Sequence, residues 1–162
     1  MDTSILINDL NSQQLTVRRR AAEQLATHLD AAAAVPLVRA CGDADESVRE
    51  WAVAALEQLG IPDAADAAAL TELLADGQRD GRYWSATLLG RLGRRAASAV
   101  AALSDSTAHD ADPAVRQRAA WALGEVGPAA ASAEHVLAQA AAGDDPRLAR
   151  LARQSLEKIA GR

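Results

Sequence analysis

The chain predicts an all-α solenoid of about five stacked antiparallel helix hairpins, and three observations predict it. The first is one segment written five times. Residues 112–127 read DPAVRQRAAWALGEVG. Asp112 is a ready N-cap and Pro113 suits the first helical position. Val115, Ala119, Leu123 and Val126 recur at helical spacing, and Gly127 with Pro128 stops one helix and opens the next. Val115 has counterparts at Val17, Val48, Gly81 and Leu148, spaced by 31, 33, 34 and 33 residues. Self-similarity with a period in the thirties is what stacked helical hairpins produce. The second observation is a 49% apolar composition, much of it alanine and none of it phenylalanine, which suits helices packed closely on small side chains. The third is that no stretch alternates with a period of two, so nothing reads as a strand.

Taken in order, residues 2–10 form a short outer helix carrying Ile5, Leu6 and Leu10, and Asn11 and Ser12 cap an inner helix over about 13–28. Residues 31–41 form the next outer helix, which Pro36 should bend or interrupt. Asp43 and Asp45 precede an inner helix over 46–59, and Gly60-Ile61-Pro62 stops and restarts the chain. An Ala-rich outer helix over 62–75 leads to an inner helix over 79–92, whose start, Gln-Arg-Asp-Gly, is the weakest of the set. Residues 94–104 are outer, with a Ser/Asp/Thr-rich loop through His109. The inner helix at 112–127, an outer helix at 128–141 and an inner helix at 146–160 complete the chain. The repeats are thus about 2–29, 31–60, 62–93, 94–127 and 128–160, in one domain without a linker. Arg153 stands five positions past the last anchor, where earlier repeats carry Ala22, Val53, Ala86 and Ala120. A water-facing residue there reads as the capping face of a terminal repeat.

The pattern Val-Arg-x-x-Ala-Ala-x-Ala-Leu-Gly-x-(Val/Ile)-Gly resembles the HEAT-like repeat of the phycobilisome-lyase type. Residues 115–127 match it closely. Residues 48–60 match with Val53 and Glu57 in place of Ala and Gly, and residues 81–93 keep Arg82, Leu89, Gly90, Leu92 and Gly93 while carrying Gly81 and Ser85. The resemblance covers nearly the whole chain and implies an αα-superhelix. It specifies little about function, because one repeat fold serves many tasks.

Composition narrows the function classes. The net charge is −5, which disfavours nucleic acid as a partner. No apolar run approaches the roughly eighteen residues of a membrane span, and no basic-then-apolar leader opens the chain, so no membrane partner is expected. The single cysteine, Cys41, falls on an apolar stripe and reads as a small buried hydrophobe in a reducing, cytoplasmic setting. His28, His109 and His135 lie far apart with no cysteine partner, so neither a metal nor another cofactor is expected, and no nucleophile has an adjacent base.

Four arginines, Arg18, Arg49, Arg82 and Arg116, stand one position past an anchor, on the flank of the buried stripe. Aspartates 43, 45, 76, 110, 112 and 145 lie just upstream of inner helices. Stacking should bring Arg of one repeat to Asp of another, so this ladder reads as structure and not as a phosphate strip.

Positions two, three, six and ten past each anchor are left free by the repeat and line the concave side of a solenoid. These twenty positions hold all four aromatics: Trp51, Tyr83, Trp84 and Trp121. They also hold six basic and three acidic side chains in a chain that is acidic overall. Trp, Tyr and Arg are the residues enriched at binding hot spots. The candidate partner-binding residues are therefore Arg20, Trp51, Tyr83, Trp84, Thr87, Arg91, Arg118, Trp121 and Glu125. Trp51 and Trp84, equivalent in adjacent repeats, either flank a ligand or wedge between helices. The leading expectation is a non-catalytic scaffold binding an acidic and apolar protein or peptide segment. The resemblance allows two alternatives: a bilin or other small-molecule handler, as in phycobilisome lyases, and a base-lesion glycosylase, which the net acidity disfavours.

Overall fold

The computed structural model describes residues 2–161. Ten α-helices follow in order: α1 Thr3–Asp9, α2 Leu15–Thr27, α3 Ala34–Ala40, α4 Glu46–Gln58, α5 Ala67–Asp76, α6 Arg79–Leu92, α7 Val100–His109, α8 Pro113–Val126, α9 Glu134–Ala141 and α10 Pro146–Ile159. Successive helices pair as hairpins, and the hairpins stack so that odd-numbered helices form one layer and even-numbered helices the other. The result is an all-α solenoid. Its core is small-sided, as the composition requires: Ala52, Ala55 and Leu56 of α4 and Ala119, Ala122 and Leu123 of α8 are wholly buried.

Four outer helices are shorter than the apolar pattern suggests, because each is approached through a 3-10 turn: Ala31–Ala33, Ala64–Asp66, Gly93–Ala99 and Gly127–Ala133. Gly93 and Gly127 turn the chain with φ of 59° and 73°, a region costly for any residue with a Cβ. Pro36 does not bend α3. It lies in the first turn, where a missing N–H has no intrahelical partner to lose. The expected loop through His109 is helical. Ser104 and Thr107 donate their hydroxyls to the carbonyls of Val100 and Leu103, both at 2.8 Å, so polar side chains that usually favour loops are satisfied within α7. Asp2, Asp45, Asp112 and Asp145 cap helices through their carboxylates. The expected cap at Asn11–Ser12 stands ahead of the helix: the Ser12 hydroxyl accepts from the Gln14 N–H at 3.2 Å, but α2 starts only after Gln14, which gives no side-chain cap, and α6 likewise starts after an uncapping Gln78.

The arginine ladder is structural in alternate steps. Arg18 grips Asp43 at 2.8 and 3.2 Å, and Arg82 grips Asp110 at 2.7 and 3.0 Å, each joining one repeat to the next. Arg49 and Arg116 instead donate to backbone carbonyls, those of Asp43 with Ala44 and Asp110 with Ala111.

The even-numbered layer has one loose joint. Where the repeat carries glycine nine positions past the anchor, the following helix comes close. A Cβ on Gly90 would lie 2.3 Å from Trp121 of α8, and one on Gly124 would lie 2.5 Å from Ser155 of α10. In α4 that position is Glu57, and Val53 replaces the alanine of the usual pattern. α4 and α6 accordingly do not pack as the neighbouring even pairs do, and α6 leans on α3 instead. Trp84, only 7% exposed, packs into this joint and walls the space left there.

Candidate binding face

The loose joint and the tight joint after it position the aromatic side chains. At the tight joint, Gly90 leaves room for the Trp121 indole to lie against the α6 backbone. Four residues C-terminal to Arg79, Tyr83 projects from the same side of α6. Arg118 then enters between the two rings, its guanidinium carbon 5.0 Å from the Tyr83 ring centre and 5.2 Å from that of Trp121. One of its terminal nitrogens donates to the Tyr83 hydroxyl at 2.5 Å. A guanidinium held by two ring faces and a phenol oxygen has little freedom left to lose. Tyr83 also meets Trp84 edge to face, at 5.5 Å and 87°.

Two hollows open on either side of this stack. One, of about 360 Å³, is lined by Arg79, Tyr83, Ala114, Gln117, Arg118, Trp121, Arg147 and Leu151, with no carboxylate among them. The other, of about 480 Å³, occupies the loose joint and is lined by Val53, Glu57, Arg79, Asp80, Tyr83, Trp84, Thr87, Arg91 and Arg118. The first is basic with apolar walls; the second mixes both signs. Arg79 belongs to both, bonded to Asp80 at 2.5 Å and to Asp112 at 3.1 Å, which together raise its pKa.

The expected site residues divide into three groups. Tyr83, Arg118 and Trp121 come together as described, half-buried around the first hollow. Trp84, Thr87 and Arg91 are at the joint but committed to it. Trp84 is wedged between helices. Thr87 is buried and donates to the Tyr83 carbonyl at 2.8 Å, so it is not a surface donor. Arg91 donates to the carbonyls of Leu56 at 2.9 Å and of Leu59, binding the C-terminal end of α4. Burial holds its pKa below the ordinary value, and the nearby Arg118 charge lowers it further. Its guanidinium satisfies carbonyls that a helix end leaves without partners, and it is not free to take a ligand carboxylate there. The third group stands apart. Trp51 is 38% exposed on α4 and lines neither hollow, Arg20 is exposed on α2, and Glu125 pairs with Lys158.

Five residues that line the first hollow lay outside the expected set, the small Ala114 among them. Gln117 and Leu151 stand at free positions two and three past their anchors, but carry no aromatic or charge to draw notice. Arg79 and Arg147 lie four residues before Tyr83 and Leu151. Extending the free stripe by one helical turn ahead of the anchor would have found both.

A sequence profile for HEAT repeats matches residues 3–90 and again 67–157. Among curated proteins, none matches significantly. Several solved structures share the fold. An engineered protein is 21% identical, with a TM-score of 0.67 over 99% of this chain and 80% of its own. A designed armadillo repeat protein in complex with the peptide (KR)4 is 18% identical, with a TM-score of 0.69 over 99% and 82%. The complex of CpcE and CpcF of phycocyanin lyase from Nostoc sp. PCC7120 is 20% identical, with a TM-score of 0.67 over 100% and 66%.

Proposed function

Because the chain belongs to the HEAT-repeat family, we propose that it is a non-catalytic binding module, one continuous repeat array that captures a segment of a protein partner on its concave face. Folds of this kind commonly serve as protein-binding scaffolds, and no helix among the described residues is long and apolar enough to cross a membrane. The observation that carries the proposal is the Arg118 guanidinium fixed between Tyr83 and Trp121 above a hollow that no carboxylate lines. A partner segment bearing acidic and apolar residues fits it, with a carboxylate on Arg118 and Arg147 and an aliphatic side chain against Trp121 and Leu151. The single buried cysteine supports a reducing, cytoplasmic setting.

The test is fluorescence anisotropy of a labelled hexapeptide alternating Leu and Glu, against its Leu/Lys counterpart. The acidic peptide binds the wild type, and the double variant Arg118→Glu/Arg147→Glu loses that binding. Equal binding of both peptides, or binding untouched by the double variant, removes this assignment.

A further inference from the structure

The first hollow presents two arginines that no carboxylate of the chain pairs with. Three guanidiniums line it. Arg79 is neutralised by Asp80 and Asp112. Neither Arg118 nor Arg147 has a carboxylate within ion-pair distance among the described residues, so two guanidiniums over one cavity have no ion-pair partner of their own. All the cations are arginines, whose planar forks match tetrahedral oxyanions bidentately. Tyr83 accepts its hydrogen bond from Arg118, which leaves its own O–H to donate. The walls are apolar: Trp121, Leu151 and Ala114.

On the reading that this hollow takes a peptide anion, we infer that the anion is a phosphoryl group: the partner segment is phosphorylated on a side chain seated between Arg118 and Arg147. A phosphomonoester carries −1.5 to −2 charge near pH 7 and three strong acceptor oxygens. It therefore matches two free guanidiniums and a phenol donor in both charge and donor count, where a carboxylate matches half of each. A volume of about 360 Å³ accommodates such a group with its flanking side chain. No histidine lines the hollow; from α6 it is faced by Arg79 and Tyr83, from α8 by Arg118 and Gln117, and from α10 by Arg147. The titration that governs binding below neutrality is then the ligand's own second proton, with a pKa of about 6.

The experiment uses three heptapeptides of alternating Leu that differ only in carrying phosphoserine, Glu or Ser at the central position, together with inorganic phosphate and adenosine monophosphate. Binding is followed by the Nε–Hε signals of Arg118 and Arg147 in arginine-labelled protein. At pH 7.5 the phosphopeptide binds about tenfold tighter than the Glu peptide, and the advantage shrinks as pH falls from about 7 to 5. Arg147→Gln, on an exposed side chain of α10, removes the advantage without altering the fold. Equal affinity for the phosphoserine and Glu peptides overturns the inference while leaving the acidic-peptide reading intact. Phosphate or the nucleotide binding as tightly as the phosphopeptide also overturns it, making the hollow a small-anion site. If none of the peptides binds, the reading beneath it falls as well.

Discussion

Replacing Gly90 by alanine separates two kinds of close approach that look alike in sequence. Both glycines nine past an anchor sit where a Cβ would clash, but the obstructing atoms differ. At Gly90 they are the Cζ3, Cη2 and Cε3 atoms of Trp121 at 2.3, 2.8 and 2.9 Å, the far edge of a half-buried indole. At Gly124 they include the Cα and Cβ of Ser155, both at 2.9 Å, which belong to the body of α10. An indole can swing about two side-chain torsions, whereas a helix can only back away. Overpacking costs about 1–3 kcal/mol, and exchanging Gly for Ala inside a helix returns about 1 kcal/mol. For Gly90→Ala the low end of that cost, with a cation–π contact of about 0.5–1 kcal/mol forfeited at Arg118, leaves a net loss of about 0.5–1 kcal/mol. For Gly124→Ala the upper half of the range applies. The buried bond from the Ser155 hydroxyl to the Ala120 carbonyl, 2.8 Å long, is also stretched. The net loss is then about 2–3 kcal/mol, or about 6 °C in Tm. The assay is thermal unfolding with tryptophan emission, in a Trp51→Phe background that silences the exposed indole. Gly90→Ala should melt within about 3 °C of its parent, with emission shifted to the red as Trp121 enters water, and should lose affinity for the acidic peptide. A Gly90→Ala variant as unstable as Gly124→Ala, with unshifted emission, would mean that α6 and α8 part while the ring stays, and the account of the site would be refuted.

Three further outcomes follow from the same geometry. Arg91→Ala leaves the carbonyls of Leu56 and Leu59 without their cation and lowers stability by about 1.5–3 kcal/mol in urea denaturation, an effect that Arg20→Ala should not show. Bonding from Arg19 holds the Asp45 carboxyl down at about 2, against about 3.9 in the unfolded chain, so the stability it supplies is present above pH 4 and disappears as pH falls from about 4 to 2. Asp45→Asn, which keeps an N-cap acceptor, should flatten that limb of a Tm-versus-pH curve. Burial pushes the Cys41 thiol up to about 12, so a disulfide reagent at pH 8 should modify the native chain at the rate of local opening and the urea-unfolded chain at once.

The even-numbered helices were readable to within two residues from anchor spacing and caps, because a period of 33 or so repeats every local signal five times. The odd-numbered helices were read less well. Alanine runs such as 31–34 and 129–131 favour any tight helical turn, and whether the chain takes 3-10 or α geometry there is decided by how the preceding glycine or aspartate aims it into the next layer. The aromatic face was legible as a set but not as a site. Trp51 and Trp84 occupy equivalent positions, yet one is exposed and one is wedged, because the residues that open the joint, Val53 and Glu57, are on α4, the partner of Trp84 and not of Trp51. Arg91 looked like a ligand for carboxylates on its own helix; its actual partners, the carbonyls at the end of α4, are 32 and 35 residues away.

The departures from the repeat pattern explain where a binding surface can arise. In a solenoid each repeat touches only its neighbours, so swelling one joint leaves the others undisturbed. The large side chains at the α4–α6 joint accordingly coexist with close glycine packing at the α6–α8 and α8–α10 joints. The tight joints hold Tyr83, Arg118 and Trp121 in register from two rigid helices, while the loose one gives the groove its second opening. The order this requires is supplied on folding: Arg118 is already fixed by two rings and a hydroxyl, so a ligand meeting it loses little to side-chain ordering. On the proposed reading, a surface arginine without those rings would present the same charge and bind more weakly, which gives Tyr83 and Trp121 their role beside it.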